Sequence, residues 1–196
     1  MNSSAITLKK LCLSLACLAF VVVLLGAYTR LADAGLGCPD WPGCYGQLTV
    51  PSTTQEINRA MHAFPHAEPV SIKAWPEMIH RYVAGLLSLG LLALFSASLY
   101  WRKQKHTKVL MPTLLMVLLF FQALLGMWTV TLLLLPLVVM GHLIGGMTIA
   151  CLCFYLYRNY DNPTLSTQKP SLSGALISLG LFFLLLQIIL GGWTSS

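Results

Sequence analysis

The stretch Leu125-Gly126-Met127-Trp128-Thr129 closes a long apolar run, and its pattern stands twice more, as Leu25-Gly26-Ala27-Tyr28-Thr29 and as Leu190-Gly191-Gly192-Trp193-Thr194. The shared signature is L-G-x-aromatic-T. Each part has an ordinary explanation alone, because aromatic residues favour the membrane–water interface and glycine is common in spanning helices. Three copies in one register mark an internal repeat instead, and repeats in membrane proteins often put a ligand site at their interface.

The runs that surround these copies set the fold class. A bilayer core of about 30 Å and a helical rise of about 1.5 Å per residue call for roughly 20 apolar residues per span. Five stretches qualify: Leu11 to Tyr28, Tyr82 to Trp101, Val109 to Leu132, Leu137 to Tyr157 and Leu172 to Trp193. With 57% hydrophobic and 9% charged residues, ordinary soluble classes are excluded. Backbone polar groups in hydrocarbon need internal partners, and nothing alternates with the period of a barrel strand. The expectation is an all-α polytopic membrane helical bundle. Residues 1–160 would form a four-helix bundle with an outer loop at 31–76, and residues 161–196 a fifth spanning helix.

The formal charge of +6 does not point to nucleic acid, because the basic residues cluster at alternate helix ends. Lys9 and Lys10 precede the first span; Arg102, Lys103, Lys105 and Lys108 fill the second connection; Arg158 and Lys169 flank the fourth span. By the positive-inside rule these ends are cytoplasmic, which puts the N-terminus inside and the long first loop and C-terminus outside. A rival reading of the start is a secretory signal, with Lys9 and Lys10, an apolar run and Ala32-Asp33-Ala34 as its cleavage site. The apolar run is longer than a usual signal core, and the repeat makes it one of a set.

The repeat unit is a helical hairpin. Spans one and two form one unit, three and four the next, and span five opens a third whose return helix is absent from the sequence. The chain therefore reads as a fragment, with a genuine five-helix protein, assembled as a homo-oligomer, as the alternative.

Each returning helix carries one histidine near its outer end, His80 and His142. Two imidazoles from facing helices are a standard way to ligate heme iron inside a bundle. A single interfacial histidine is more simply a hydrogen-bonding residue, but a matched pair of ionisable groups in membrane segments points to function. Glu77 stands three residues before His80, on one helical face with it. It reads either as a favourable negative charge at a helix N-terminus, with Pro76 in the first turn, or as an acid/base group beside a bound substrate. Arg81 could pair with Glu77 or with a porphyrin propionate.

Cys38 and Cys44 bracket Pro39-Asp40-Trp41-Pro42-Gly43 on the outward side, where an oxidising compartment and turn-forming residues favour a disulfide. A zinc site would have to recruit distant His62 and His66, and reversible thiol exchange stays open. Cys12, Cys17, Cys151 and Cys153 lie in apolar runs and read as small buried hydrophobes.

The segments Gly26-Ala27-Tyr28-Thr29-Arg30-Leu31, Gly35-Leu36-Gly37-Cys38-Pro39-Asp40-Trp41-Pro42-Gly43-Cys44, Glu77-Met78-Ile79-His80-Arg81 and Gly141-His142-Leu143 resemble, in this order, the first half of the heme A synthase family. The resemblance covers nearly the whole chain. It implies an enzyme of the bacterial inner membrane that oxidises the C8 methyl of heme O to the formyl of heme A. It also implies two related four-helix halves, the first holding the substrate heme and the second a heme b cofactor. Residue by residue, Glu77 matches the catalytic glutamate, His80 and His142 the substrate-heme ligands, and Cys38 with Cys44 the loop disulfide. Heme O is the implied substrate, and heme O synthase and cytochrome oxidase assembly are the implied partners. A non-enzymatic bis-histidine heme-binding or electron-transfer membrane protein is the competing class.

Overall fold

The computed structural model describes residues 3–102 and 109–159, together with positions 180, 183, 186–188, 190 and 191. Five helices follow in order: α1 (Ser3–Leu31), α2 (Thr54–Ala63), α3 (Ser71–Trp101), α4 (Leu110–Thr131) and α5 (Pro136–Asn159). All but α2 are long and apolar enough to span a membrane, so the chain is an all-helical membrane bundle. The fifth expected span, Leu172 to Trp193, lies mostly outside the described residues.

The four long helices form a closed ring in which α1 touches α3 and α5, and α4 touches the same two. Helices α3 and α5 are therefore diagonal partners, as are α1 and α4. The repeat copies of the first two hairpins occupy one diagonal and the histidine-bearing helices the other, so the sequence repeat becomes a pseudo-twofold arrangement in space.

The end near Lys9 is filled solid. Leu8, Cys12, Leu15, Ala16 and Ala19 of α1 pack against Leu87, Leu91 and Leu94 of α3, Leu115 of α4, and Ile149 and Cys153 of α5. Lipid tails are as apolar as these side chains, so close fit rather than transfer from water holds this region together. Large residues such as Phe20, Leu89, Phe120, Phe121 and Leu137 stay exposed on the outside, as a lipid-facing surface requires.

The other end carries the loop between α1 and α3, which is a small folded cap. Its own core joins Cys38, Cys44, Tyr45, Val50 and Ala60 to Ala74 and Met78 of α3. Helix α2 starts with a capping box, in which Thr53 accepts from the Glu56 amide while the Glu56 carboxylate reaches back to the Thr53 amide. That pattern satisfies two otherwise orphaned donors. Tyr45 packs edge-on against Phe64 with ring centroids 5.7 Å apart, and its hydroxyl donates to the Glu68 carbonyl at 2.9 Å.

Three boundaries depart from the expectation drawn from hydropathy, the first being α1, which begins at Ser3 rather than Leu11. Helix α3 begins at Ser71 rather than near Tyr82, so Pro76 sits inside the helix instead of in its first turn. The segment 31–76 contains α2 and the start of α3. Apolar counting misses such an extension, because Lys73, Glu77 and Arg81 interrupt the hydrophobic run while remaining fully compatible with a helix that packs on the cap.

Candidate functional site

Between the solid end and the cap, the helices enclose a cavity of about 950 Å³. Small-molecule sites span roughly 300–1,000 Å³, so this one is at the large end. Val22, Gly26 and Arg30 of α1, Glu77, His80 and Arg81 of α3, Gln122 and Gly126 of α4, and His142 of α5 contribute to its wall. Ile188 and Gly191 also line it.

His80 and His142 face each other across the ring with centroids 6.5 Å apart and planes at 80°. A metal–imidazole nitrogen bond is about 2 Å and the ring centre lies roughly 1.1 Å behind the nitrogen, so two imidazoles on opposite sides of one metal have centroids about 6.3 Å apart. The centroid spacing is that expected of two imidazoles sharing one metal.

The repeat glycines make this approach feasible. A Cβ at Gly26 would stand 3.0 Å from Cε1 of His80, and one at Gly126 would stand 3.3 Å from Cε1 of His142. Each imidazole thus sets its Cε1 close against the glycine of the helix paired with it in the same hairpin. The threonine of each signature turns back onto the same glycine: Thr29 Oγ1 donates to Gly26 O and Thr129 Oγ1 to Gly126 O, both at 2.7 Å. The helix exits match as well, with Ala34 N donating to Thr29 O and Leu134 N to Thr129 O, both at 2.8 Å.

His80 Nδ1 is 3.1 Å from the Val22 carbonyl, four residues before Gly26. A carbonyl only accepts, so Nδ1 carries the proton and Nε2 keeps its lone pair for a metal. The equivalent position in the second hairpin is Gln122, four residues before Gly126. The His142 ring lies by the Gln122 backbone, and its Nδ1 is buried without a well-formed hydrogen bond. Two further buried cavity-lining atoms have no partner, Arg30 Nε and Gln122 Nε2.

Glu77 and Arg81 connect the cavity to the cap. Glu77 Oε1 pairs with Arg81 at 2.5 Å, with side chains only 7% and 11% exposed, and Oε2 accepts from the Cys38 amide at 2.9 Å. Arg81 also donates to the carbonyls of Asp40, at 2.9 Å, and Gly43. Of the two partners foreseen for Arg81, it meets Glu77 here, together with loop carbonyls. The Cys38–Cys44 disulfide closes this loop, and Asp40 accepts from the amides of Tyr45 and Gly46 at 2.6 and 2.8 Å. Gly37 rides directly on α3, where a Cβ would meet the Lys73 carbonyl oxygen at 2.4 Å.

Of the residues singled out from the sequence, Glu77, His80 and His142 thus line one cavity, while Cys38 and Cys44 lie in the cap core and are joined to it through the Cys38 amide on Glu77. Arg30 and Gln122 were not singled out. The available signal for Arg30 was its place directly after the first L-G-x-aromatic-T copy, where the second copy has Val130; an ionisable residue at a span end is a functional flag.

The donor set suits a heme-type group: two imidazoles at a spacing that one metal could bridge, an apolar chamber of adequate volume, and an arginine among the lining residues whose Nε is buried without a partner. Comparison with known proteins agrees. A heme A synthase of Shewanella oneidensis is 46% identical over 180 residues, covering 90% of this chain and 53% of that protein. A heme A synthase of Lysinibacillus sphaericus is 29% identical over 89 residues, 45% of this chain and 22% of that protein. The chain thus spans about half or less of the length of these relatives. No solved structure matches it significantly. The family model for cytochrome oxidase assembly proteins, COX15-CtaA, matches residues 9–196, and the chain belongs to that family, the heme A synthase family its motifs resemble.

Proposed function

We propose that this chain forms the substrate-heme half of a heme A synthase-type oxidoreductase. In the whole protein, the C8 methyl of heme O is oxidised to the formyl of heme A, for use in cytochrome oxidase assembly. The observation that carries this is the 6.5 Å spacing of His80 and His142 across the cavity. These two residues hold the porphyrin iron, each positioned by the repeat glycine beneath it. Glu77 is the catalytic group, a carboxylate at the cavity wall whose position is set by Arg81 and the Cys38 amide. Heme O synthase is the source of the substrate, and a second heme, of the b type, is held by helices beyond those described.

The N-terminus is cytoplasmic and the disulfide-closed cap outside, in a bacterial inner membrane, a reading supported by the basic helix ends. Residues 161–196 open the second half.

The test is optical. The purified 196-residue chain loaded with heme is expected to show a six-coordinate low-spin spectrum, lost in both His80→Ala and His142→Ala. Retention of that spectrum in either variant refutes the ligand pair. For the chemistry, Glu77→Ala in the full-length parent is expected to stop heme A formation while leaving heme bound.

A second reading, a non-enzymatic bis-histidine heme protein, is favoured by one observation. Both Glu77 oxygens are engaged in holding the cap, a role that requires no reaction. Unchanged heme A output in the Glu77 variant would refute the catalytic role of Glu77, whereas a parent protein that binds heme and forms no heme A would select this second reading.

A further inference from the structure

We propose that Arg30 is the carboxylate anchor of the porphyrin site, pairing with one propionate and thereby fixing which edge of the macrocycle faces the cap. This rests on the heme reading of the cavity.

Four groups on the cavity wall can carry positive charge: His80, His142, Arg81 and Arg30. The two imidazoles are assigned to the metal as neutral ligands. Arg81 is matched by Glu77 and by loop carbonyls. Arg30 has no carboxylate partner among the described residues, and its Nε is buried with nothing to donate to. The nearby carboxylate, Asp33, is turned outward into an ion pair with Lys73 at 2.5 Å.

Arg30 is half-buried and shares only a longer-range attraction with Asp33; a guanidinium at the edge of a low-dielectric chamber without a direct anion partner is costly, and a ligand carboxylate would complete it. The guanidinium fork matches a carboxylate in a way that no other side chain on this wall can. Chain geometry places it suitably. Arg30 lies four residues beyond Gly26, about 6 Å of helical rise toward the cap, while Gly26 touches the His80 ring. The loop also leaves the guanidinium room, because a Cβ at Gly35 would come within 3.4 Å of Arg30 Nη1 and 3.3 Å of Leu134. The iron-binding level and the carboxylate-binding level are therefore offset along one helix, with the charged level nearer the cap. The apolar edge of the porphyrin then faces the packed end of the bundle.

The experiment titrates the 196-residue chain in detergent with iron protoporphyrin IX and with its dimethyl ester, which keeps the iron and macrocycle but lacks both carboxylates. Binding is read from the Soret band. Wild type should prefer the free acid, and Arg30→Gln should weaken the free acid by roughly 10- to 100-fold, as loss of a charge-assisted hydrogen bond implies. The same variant should bind the ester within about threefold of wild type and keep the six-coordinate spectrum. Arg30→Lys should restore part of the preference.

Equal affinity of wild type for acid and ester overturns the assignment, as does equal weakening of both porphyrins in Arg30→Gln. If wild type binds neither porphyrin, the heme reading itself falls, and this inference with it. A defect in Arg30→Gln caused by misfolding would reduce ester binding too, and the acid-versus-ester preference of wild type then decides.

Discussion

Replacing Glu77 by Gln removes a charge while keeping the side chain's size and one acceptor oxygen. In the native structure that charge pairs with Arg81 at 2.5 Å in nearly complete burial and anchors the Cys38 amide at 2.9 Å. Removing one partner of a buried pair costs about 3–5 kcal/mol. Here Arg81 keeps its loop carbonyls and the glutamine oxygen can still accept from Cys38, so the lower end, about 3 kcal/mol, applies. At about 1.4 kcal/mol per tenfold, the cap should open locally on the order of 100-fold more often. Hydrogen exchange of the full protein, read by mass spectrometry, checks this. Peptides covering 37–44 should exchange faster by that factor, while peptides covering 87–94 in the packed end should be unchanged. Unaltered exchange at 37–44 would refute the reasoning that Glu77 clamps the cap. If heme A formation is also lost, the comparison with Arg81→Gln, which loosens the cap but spares the carboxylate, separates the clamp from the chemistry.

Three other outcomes follow from the geometry. Gly26→Val or Gly126→Val should push the adjacent imidazole off its seat, at a cost of about 1–3 kcal/mol of overpacking, and convert the low-spin heme spectrum to a five-coordinate one; an unchanged spectrum would show that the glycine seats are dispensable. The Glu56 carboxyl is held down to about 2 by hydrogen bonds from the Thr53 and Ser52 amides; since its folded value is depressed, its contribution to α2 is complete above its ordinary value of 4.5 and fades as pH falls toward 2. Proteolysis of the cap should therefore accelerate across that acid window, and Glu56→Gln should remove the pH dependence. Opening the Cys38–Cys44 loop with Cys38→Ser and Cys44→Ser should destabilise the cap by about 2 kcal/mol, from loop entropy alone, seen as faster cleavage within 31–70 and no change in the packed end.

What could be read from residues alone followed the range of the interactions. Spans α4 and α5 were legible to within a residue or two, because hydropathy is local and these helices are apolar to both ends. The start of α3 was not, since eleven residues of helix lie above the apolar run and are fixed by packing against the cap. Helix α2 carried its own signal in Thr53-x-x-Glu56, legible but overshadowed by the hydropathy of its neighbours. The two histidines stood out through the repeat. The clamp of Glu77 onto the Cys38 amide joins residues 39 positions apart, and no periodicity reports such a contact. Arg30 looked like one loop charge among several until its neighbours were seen to be paired with one another.

The crossing of the two diagonals has a consequence for biogenesis. His80 rests on α1, a partner already in the membrane when α3 inserts, so its seat is complete with the first hairpin. His142 rests on α4 and belongs to α5, the last member of the ring to leave the ribosome. On the proposed ligand pair, a nascent chain ending before Pro136 would offer one of the two histidines and never both. Heme capture would then be timed to closure of the ring, and arrested chains that display only three long helices should take up heme weakly and in a five-coordinate state. On that reading the repeat would act as a checkpoint in the order of synthesis, with both hairpins in place before the porphyrin is held.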